Sequence, residues 1–166
     1  MSEATLIERS VADTEPEEFA IGDVVASCVG AYADIYSDRT FELNGNADGA
    51  IVKGSADLTA QMLDKLIDNA VTFSPQASTI NVALTAGERE LELSVTNRGP
   101  QLPRTMRTQL FDSLVSVRDE ASLGRHLGLG LYIVALVVDF HDARIDAEDL
   151  EDGSGVRFRV TLPRVR

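Results

Sequence analysis

Two short stretches combine residue types that can hold a metal-bound phosphate. The first runs Asp64-Lys65-Leu66-Ile67-Asp68-Asn69-Ala70. Lys65, Asn69 and Thr72 stand at i, i+4 and i+7, so a helix sets them on one face. An Asn carbonyl is a hard oxygen ligand suited to Mg²⁺, which keeps waters and takes phosphate oxygens at its other positions. An ordinary solvent-facing helix carries a polar stripe of the same kind. The second stretch is Gly128-Leu129-Gly130-Leu131. The free N–H groups of a helix start attract an anion, and glycine lets it approach the backbone. Close helix packing and hinging are the other uses of such glycines.

The surrounding pattern predicts the elements that carry these residues. Leu58, Met62, Leu63, Leu66, Ile67 and Ala70 mark an amphipathic helix, with Ser55 as N-cap and Pro75 beyond its end. Residues 128–140 form a helix apolar nearly all round, hence buried. Val24, Val25, Cys28, Val29, Tyr32 and Ile35 predict a further helix over about 22–36. Residues 39–43 and 50–53 read as short strands about a turn-rich segment. Ile80, Val82 and Leu84 alternate, as do Leu91, Leu93 and Val95, with a hairpin connection over 86–89. Strands over 143–149 and 155–162 close the chain. Between Asn97 and Leu127 no period holds, and a loop of that length inside a domain is usually functional. Residues 1–12 read as a helix fragment and 13–18, interrupted by Pro16, as a linker. The expected fold class is an α/β two-layer sandwich: one mixed, mostly antiparallel sheet of about five strands on three helices.

Composition narrows the function classes. The 166 residues carry 15 Lys+Arg and 27 Asp+Glu, a net charge of −12. That length suits one domain with a proper core. The acidity argues against broad contact with nucleic acid or anionic lipid. No apolar run is long enough to span a bilayer, and the acidic first twenty residues do not read as a signal peptide. Cys28 is the single cysteine, which leaves no disulfide framework and suits a reducing compartment. The window from Arg98 to Arg125 departs from the rest: five arginines face three acids there. A mildly basic patch on an acidic body can attract phosphate, although solvated arginines are common in loops.

The order of the segments resembles the ATP-binding catalytic domain of bacterial sensor histidine kinases, over about residues 20–163. That domain shares a superfamily with gyrase, heat-shock chaperone and mismatch-repair ATPases. Gln61 to Pro75 is similar to its N box, Leu127 to Val134 to its glycine box, Phe111 to its F box, and His141-Asp142-Ala143 stands where His-Gly-Gly is frequent. Short segments over 97–100, 110–119 and 126–134 are also similar to the kinase of the proteobacterial dedicated sortase system. The resemblance implies an α/β sandwich with a mobile lid over ATP. It implies ATP and Mg²⁺ as cofactors, with Asn69 on the metal and Asn97 on adenine. Gly99 belongs to the same adenine-side box, Phe73 lies beside base or ribose, and His126, Leu127, Gly128, Leu129, Gly130 and Leu131 cradle phosphates. Arg118 and Arg125 of the lid face the γ-phosphate or the dimerisation domain.

Residues 1–19 then correspond to the end of a dimerisation helix and linker, and 20–166 to the catalytic domain. The implied partners are the histidine phosphotransfer domain of the same kinase and a response regulator. The implied setting is a cytoplasmic domain of a protein anchored in the inner membrane, with no membrane or nucleic-acid contact of its own. The phosphate-accepting helix is absent, so the chain is expected to donate a phosphoryl group without autophosphorylating alone.

Three positions depart from the pattern. Asn97 stands where the family has Asp, and a neutral acceptor makes a weaker bond, by about 1 kcal/mol. Gln101 replaces a glycine, which stiffens the hinge. Lys65 stands where hydrolytic relatives carry a water-activating Glu. A charged lysine cannot serve as that base, so the expectation is that it supplies phosphate-binding charge on the Asn69 face. A non-catalytic interaction module of the same fold, docking a response regulator, is the alternative; a serine-kinase anti-sigma factor fits less well.

Overall fold

The computed structural model describes residues 2–100 and 126–165, with backbone alone for 126–129. Along them run α1 (Glu3–Asp13), β1 (Glu17–Ala20), α2 (Ile21–Ile35), β2 (Thr40–Asn44), β3 (Ile51–Gly54) and α3 (Ala56–Phe73). Then follow β4 (Thr79–Ala86), β5 (Glu90–Arg98), α4 (His126–Phe140), β6 (Arg144–Asp149) and β7 (Gly155–Pro163). The expectations for Gln101, Phe111, Arg118, Arg125 and the lid lie outside the described residues.

Five strands form one mixed sheet in the order β2-β4-β5-β7-β6. Only β2 and β4 run parallel; the other neighbours are antiparallel. The alternation read in the sequence sets the faces. Ile80, Val82, Leu84, Leu91, Leu93, Val95, Val156, Phe158, Val160 and Leu162 are all buried against the helix layer. The opposite face is laced by ion pairs across strands: Arg159 Nε to Glu92 at 3.1 Å, and Arg157 to Glu148 at 3.2 Å.

One element departs from expectation. Residues 17 and 18, read as the end of a linker, open β1, which pairs antiparallel with β3 in a separate two-stranded sheet, Glu17 opposite Gly54 and Ala20 opposite Ile51. The residues 51–54 therefore leave the main sheet. Two glutamates and only two apolar residues hide this strand in the sequence, although Phe19 packs on the main core and edge-on against the His141 ring.

The helix layer is built on α3. Ser55 caps it, its Oγ accepting the Leu58 N–H at 3.1 Å. Leu58, Met62, Leu63, Leu66, Ile67 and Ala70 are buried, each large one contributing about 1.5–3 kcal/mol over exposure. At the far end Arg39 takes up the orphan carbonyls: its guanidinium donates to Val71 O at 3.2 Å and Ser74 O at 2.9 Å. A cation there also meets the negative end of the helix dipole. The α2 helix is fastened to α3 by two tyrosines one turn apart. Tyr32 donates to Asp64, and Tyr36 to Asp68. Burial, then these carboxylates, push both phenols up, Tyr36 to about 12.

Candidate functional site

Both motifs sit on helices that pack on each other, α3 and α4. Asn69 lies in the last turns of α3, 7% exposed. Its Oδ1 is buried and accepts no hydrogen bond among the described residues. A buried carbonyl without a donor costs about 1–3 kcal/mol, so an orphan of this kind asks for a cause. A hard cation would supply one, because the oxygen would then be satisfied by coordination.

The stripe predicted around Asn69 splits. Thr72 is exposed and its hydroxyl bonds back to Asp68 O at 2.8 Å. Lys65 is 23% exposed, and its Nζ pairs with Glu3 Oε1 of α1 at 2.5 Å. Phe73 is half-buried against the main core.

The end of β5 meets the end of α3. Leu91, Leu93, Val95 and Asn97 follow one another on the helix-facing row, and Asn97 is 3% exposed. Its Nδ2 donates to Arg98 O at 2.9 Å, which holds the amide in one orientation. Gly99 has φ +144°, and a Cβ there would lie 2.3 Å from Phe73 O. A side chain at 99 therefore fits neither the backbone conformation nor the space.

A residue missed in the sequence completes this corner. Gly155 begins β7, and a Cβ there would lie 2.0 Å from Asn97 O. Glycine at 155 lets the two strands close around Asn97. The turn Asp152-Gly153-Ser154-Gly155 announces only a hairpin, and its second role depends on a partner 58 positions earlier.

His126 through Leu131 open α4, two residues earlier than the Gly128 start predicted. The first N–H groups of that helix have no partner within it. Among the described residues, a Cβ at Gly130 would meet nothing within 4 Å. Close packing therefore does not require glycine there, which favours open approach to the backbone. Leu131 is buried in the core, leaving only its backbone toward a ligand.

His141, at the end of α4, is a clamp on α3. Its Nε2 accepts the Ser55 N–H at 3.0 Å and Nδ1 donates to Val137 O at 2.8 Å. Burial pushes the imidazole pKa down. The N-terminus of one motif helix and the C-terminus of the other are thereby fixed together.

Known proteins share this fold. Adaptive-response sensory kinase SasA of Trichormus variabilis is 28% identical over 159 residues, covering 91% of this chain and 39% of its own. The solved mycobacterial sensor histidine kinase MprB superposes with a TM-score of 0.74 at 23% identity, covering 90% of this chain and 98% of that one. Histidine kinase ThkA in complex with response regulator TrrA superposes at 0.73 and 19% identity, covering 97% of this chain and 47% of that one. The chain spans between 16% and 39% of the length of the first curated sensor-kinase relatives it matches. Residues 54–166 match the family described as histidine kinase-, DNA gyrase B- and HSP90-like ATPase, and with the fold and these relatives this places the chain in that family, as the ATPase-like domain of sensor histidine kinases.

Proposed function

We propose that the chain binds Mg-ATP and donates the γ-phosphoryl group to a histidine on a dimerisation domain. The observation that carries this reading is the orphaned, buried Oδ1 of Asn69 on the helix of the first motif. Among the described residues no group of three or more His, Cys, Asp or Glu is placed to hold a metal. A cation at Asn69 would therefore arrive with phosphate oxygens and water, as Mg²⁺ does. When bound, the metal neutralises phosphate charge.

The chain's own residues supply position. Asn97 presents its amide oxygen to the adenine amino group, with the orientation kept by Arg98 O. Phe73 offers an apolar edge beside Gly99. The first N–H groups of α4, with Gly128 and Gly130, receive phosphate. Lys65 adds charge from α3. In phosphoryl transfer such positioning and charge neutralisation do most of the catalytic work. The accepting histidine belongs to another domain, and ThkA seated with TrrA supports a response regulator as the later partner. No helix of the described residues is long and apolar enough to cross a membrane, and the proposal sets this domain in the cytoplasm of an anchored kinase.

Calorimetry with a non-hydrolysable ATP analogue tests the reading. Binding is expected with Mg²⁺ and is weaker without it. Asn69→Ala is expected to lose the Mg²⁺ dependence while changing unfolding free energy by less than about 1 kcal/mol, because the desolvated oxygen goes with the side chain. No binding by the wild-type chain at millimolar analogue overturns the proposal.

A further inference from the structure

The contact between α1 and the motif helices has a polar and an apolar half. Glu3 lies in the first turn of α1, after the Ser2 cap whose Oγ accepts the Thr5 N–H at 3.1 Å. It reaches Lys65 Nζ, four residues before Asn69. The next residue, Ala4, points to the other side of α1, where it is fully buried and packs with Tyr132 and Leu136 of α4. Tyr132 lies two residues past Gly130. A single short helix thus grips the lysine of α3 and the flank of α4 at once.

We propose that α1 is a latch on the nucleotide site: Glu3 and the nucleotide phosphates compete for Lys65, so that α1 docking and nucleotide binding oppose each other. This rests on the preceding reading that Lys65 faces phosphate. While the pair is made, Glu3 neutralises the lysine and sets a carboxylate where the phosphates need positive charge. A phosphate arriving at Lys65 meets the like charge of Glu3, and the pair must part.

The polar half is the releasable part: the Glu3 side chain is 50% exposed in its pair with Lys65, whereas Ala4 and Ile7 are buried and Val11 packs on the main core. The tether stays in place, since β1 remains paired with β3. Release therefore frees Glu3 and loosens the docking of α1, while the catalytic fold is left intact. The coupling is reciprocal: the factor by which docked α1 weakens nucleotide binding is the factor by which nucleotide weakens docking.

The test compares affinity for the Mg²⁺ complex of a non-hydrolysable ATP analogue in the full chain, Glu3→Gln, Lys65→Gln and the double variant, at low salt. Glu3→Gln is expected to bind about two- to fivefold tighter than wild type, the range of a partly exposed ion pair. Lys65→Gln is expected to bind more weakly, and adding Glu3→Gln to it is expected to change nothing further. In the wild-type chain, amide exchange over residues 3–13 is expected to speed up when the analogue binds. Equal affinities of wild type and Glu3→Gln, or unchanged exchange in α1, overturn the latch and leave the nucleotide reading standing. A Glu3→Gln gain that persists without Lys65 also overturns it, since a general charge effect then explains the gain. Failure of every variant to bind overturns the nucleotide reading and the latch with it.

Discussion

The α-carbon of Gly99 is pressed against the carbonyl of Phe73, so that a Cβ at 99 would stand 2.3 Å from that oxygen. The last turn of α3 and the exit of β5 are joined by this contact, with no side chain from Gly99. Arg39 secures the other side of the same helix end through Val71 O and Ser74 O. The corner that holds Asn97 therefore depends on a backbone approach, and the φ of +144° confines the position to glycine.

Gly99→Ala is accordingly expected to destabilise the fold by at least ~1–3 kcal/mol, the cost of one strained backbone position. Displacing Phe73 adds to that. Nucleotide affinity is expected to fall at least tenfold where the fold survives, because Asn97 moves with the strand end. Urea unfolding and analogue titration of the same samples separate the two effects. A variant as stable as wild type would show that the approach is not required.

Asn97 predicts base selectivity. Its Nδ2 is held by Arg98 O, so on the proposed reading the amide oxygen, an acceptor, is the atom that meets the base. A 6-amino purine can donate to that oxygen; a 6-oxo purine sets oxygen against oxygen. The chain is expected to bind an ATP analogue at least tenfold more tightly than the GTP or ITP counterpart, as one buried unpaired polar group costs about 1–3 kcal/mol. Asn97→Leu is expected to remove the discrimination together with most of the affinity. Competition titrations with the three nucleotides read both, and equal binding of the purines would place the base elsewhere.

Local signals in the sequence were strong where one element sufficed. Ser55 caps α3 as its spacing predicts. The alternation of Leu91, Leu93 and Val95 already exposes Asn97 as a polar residue on an apolar row. Residues 17–20 carried no such pattern: Phe19 is the one large apolar side chain that this strand sets against the core, and one residue shows no alternation. Lys65 shows the other limit. Helical spacing groups it with Asn69, but its pairing with Glu3 spans 62 positions and joins two elements that sequence periodicity cannot relate. Gly155 was invisible for the same reason: its constraint is the Asn97 backbone on a neighbouring strand.

His141 gives a pH prediction with a definite sign. The ring is 4% exposed and serves as acceptor at Nε2 for Ser55 N–H and donor at Nδ1 to Val137 O. Thr59 Oγ1 lies 3.3 Å from Nε2, so the neutral tautomer fills every polar role in the site. Burial depresses the pKa of the folded state below 6.5. The unfolded chain thus binds its proton first as pH falls, and the clamp's contribution is whole above about 6.5 and declines below it. The slope from one such group is at most ~1.4 kcal/mol per pH unit. Since the chain's many carboxylates titrate in the acid range too, the measurement is a difference. The stability advantage of wild type over His141→Gln, from urea unfolding, is expected to be largest at pH 7.5 and smaller at pH 5.5. An advantage that stays constant across that range, or grows toward acid, would mean that the folded imidazole carries its proton and that the Ser55 N–H is satisfied in another way.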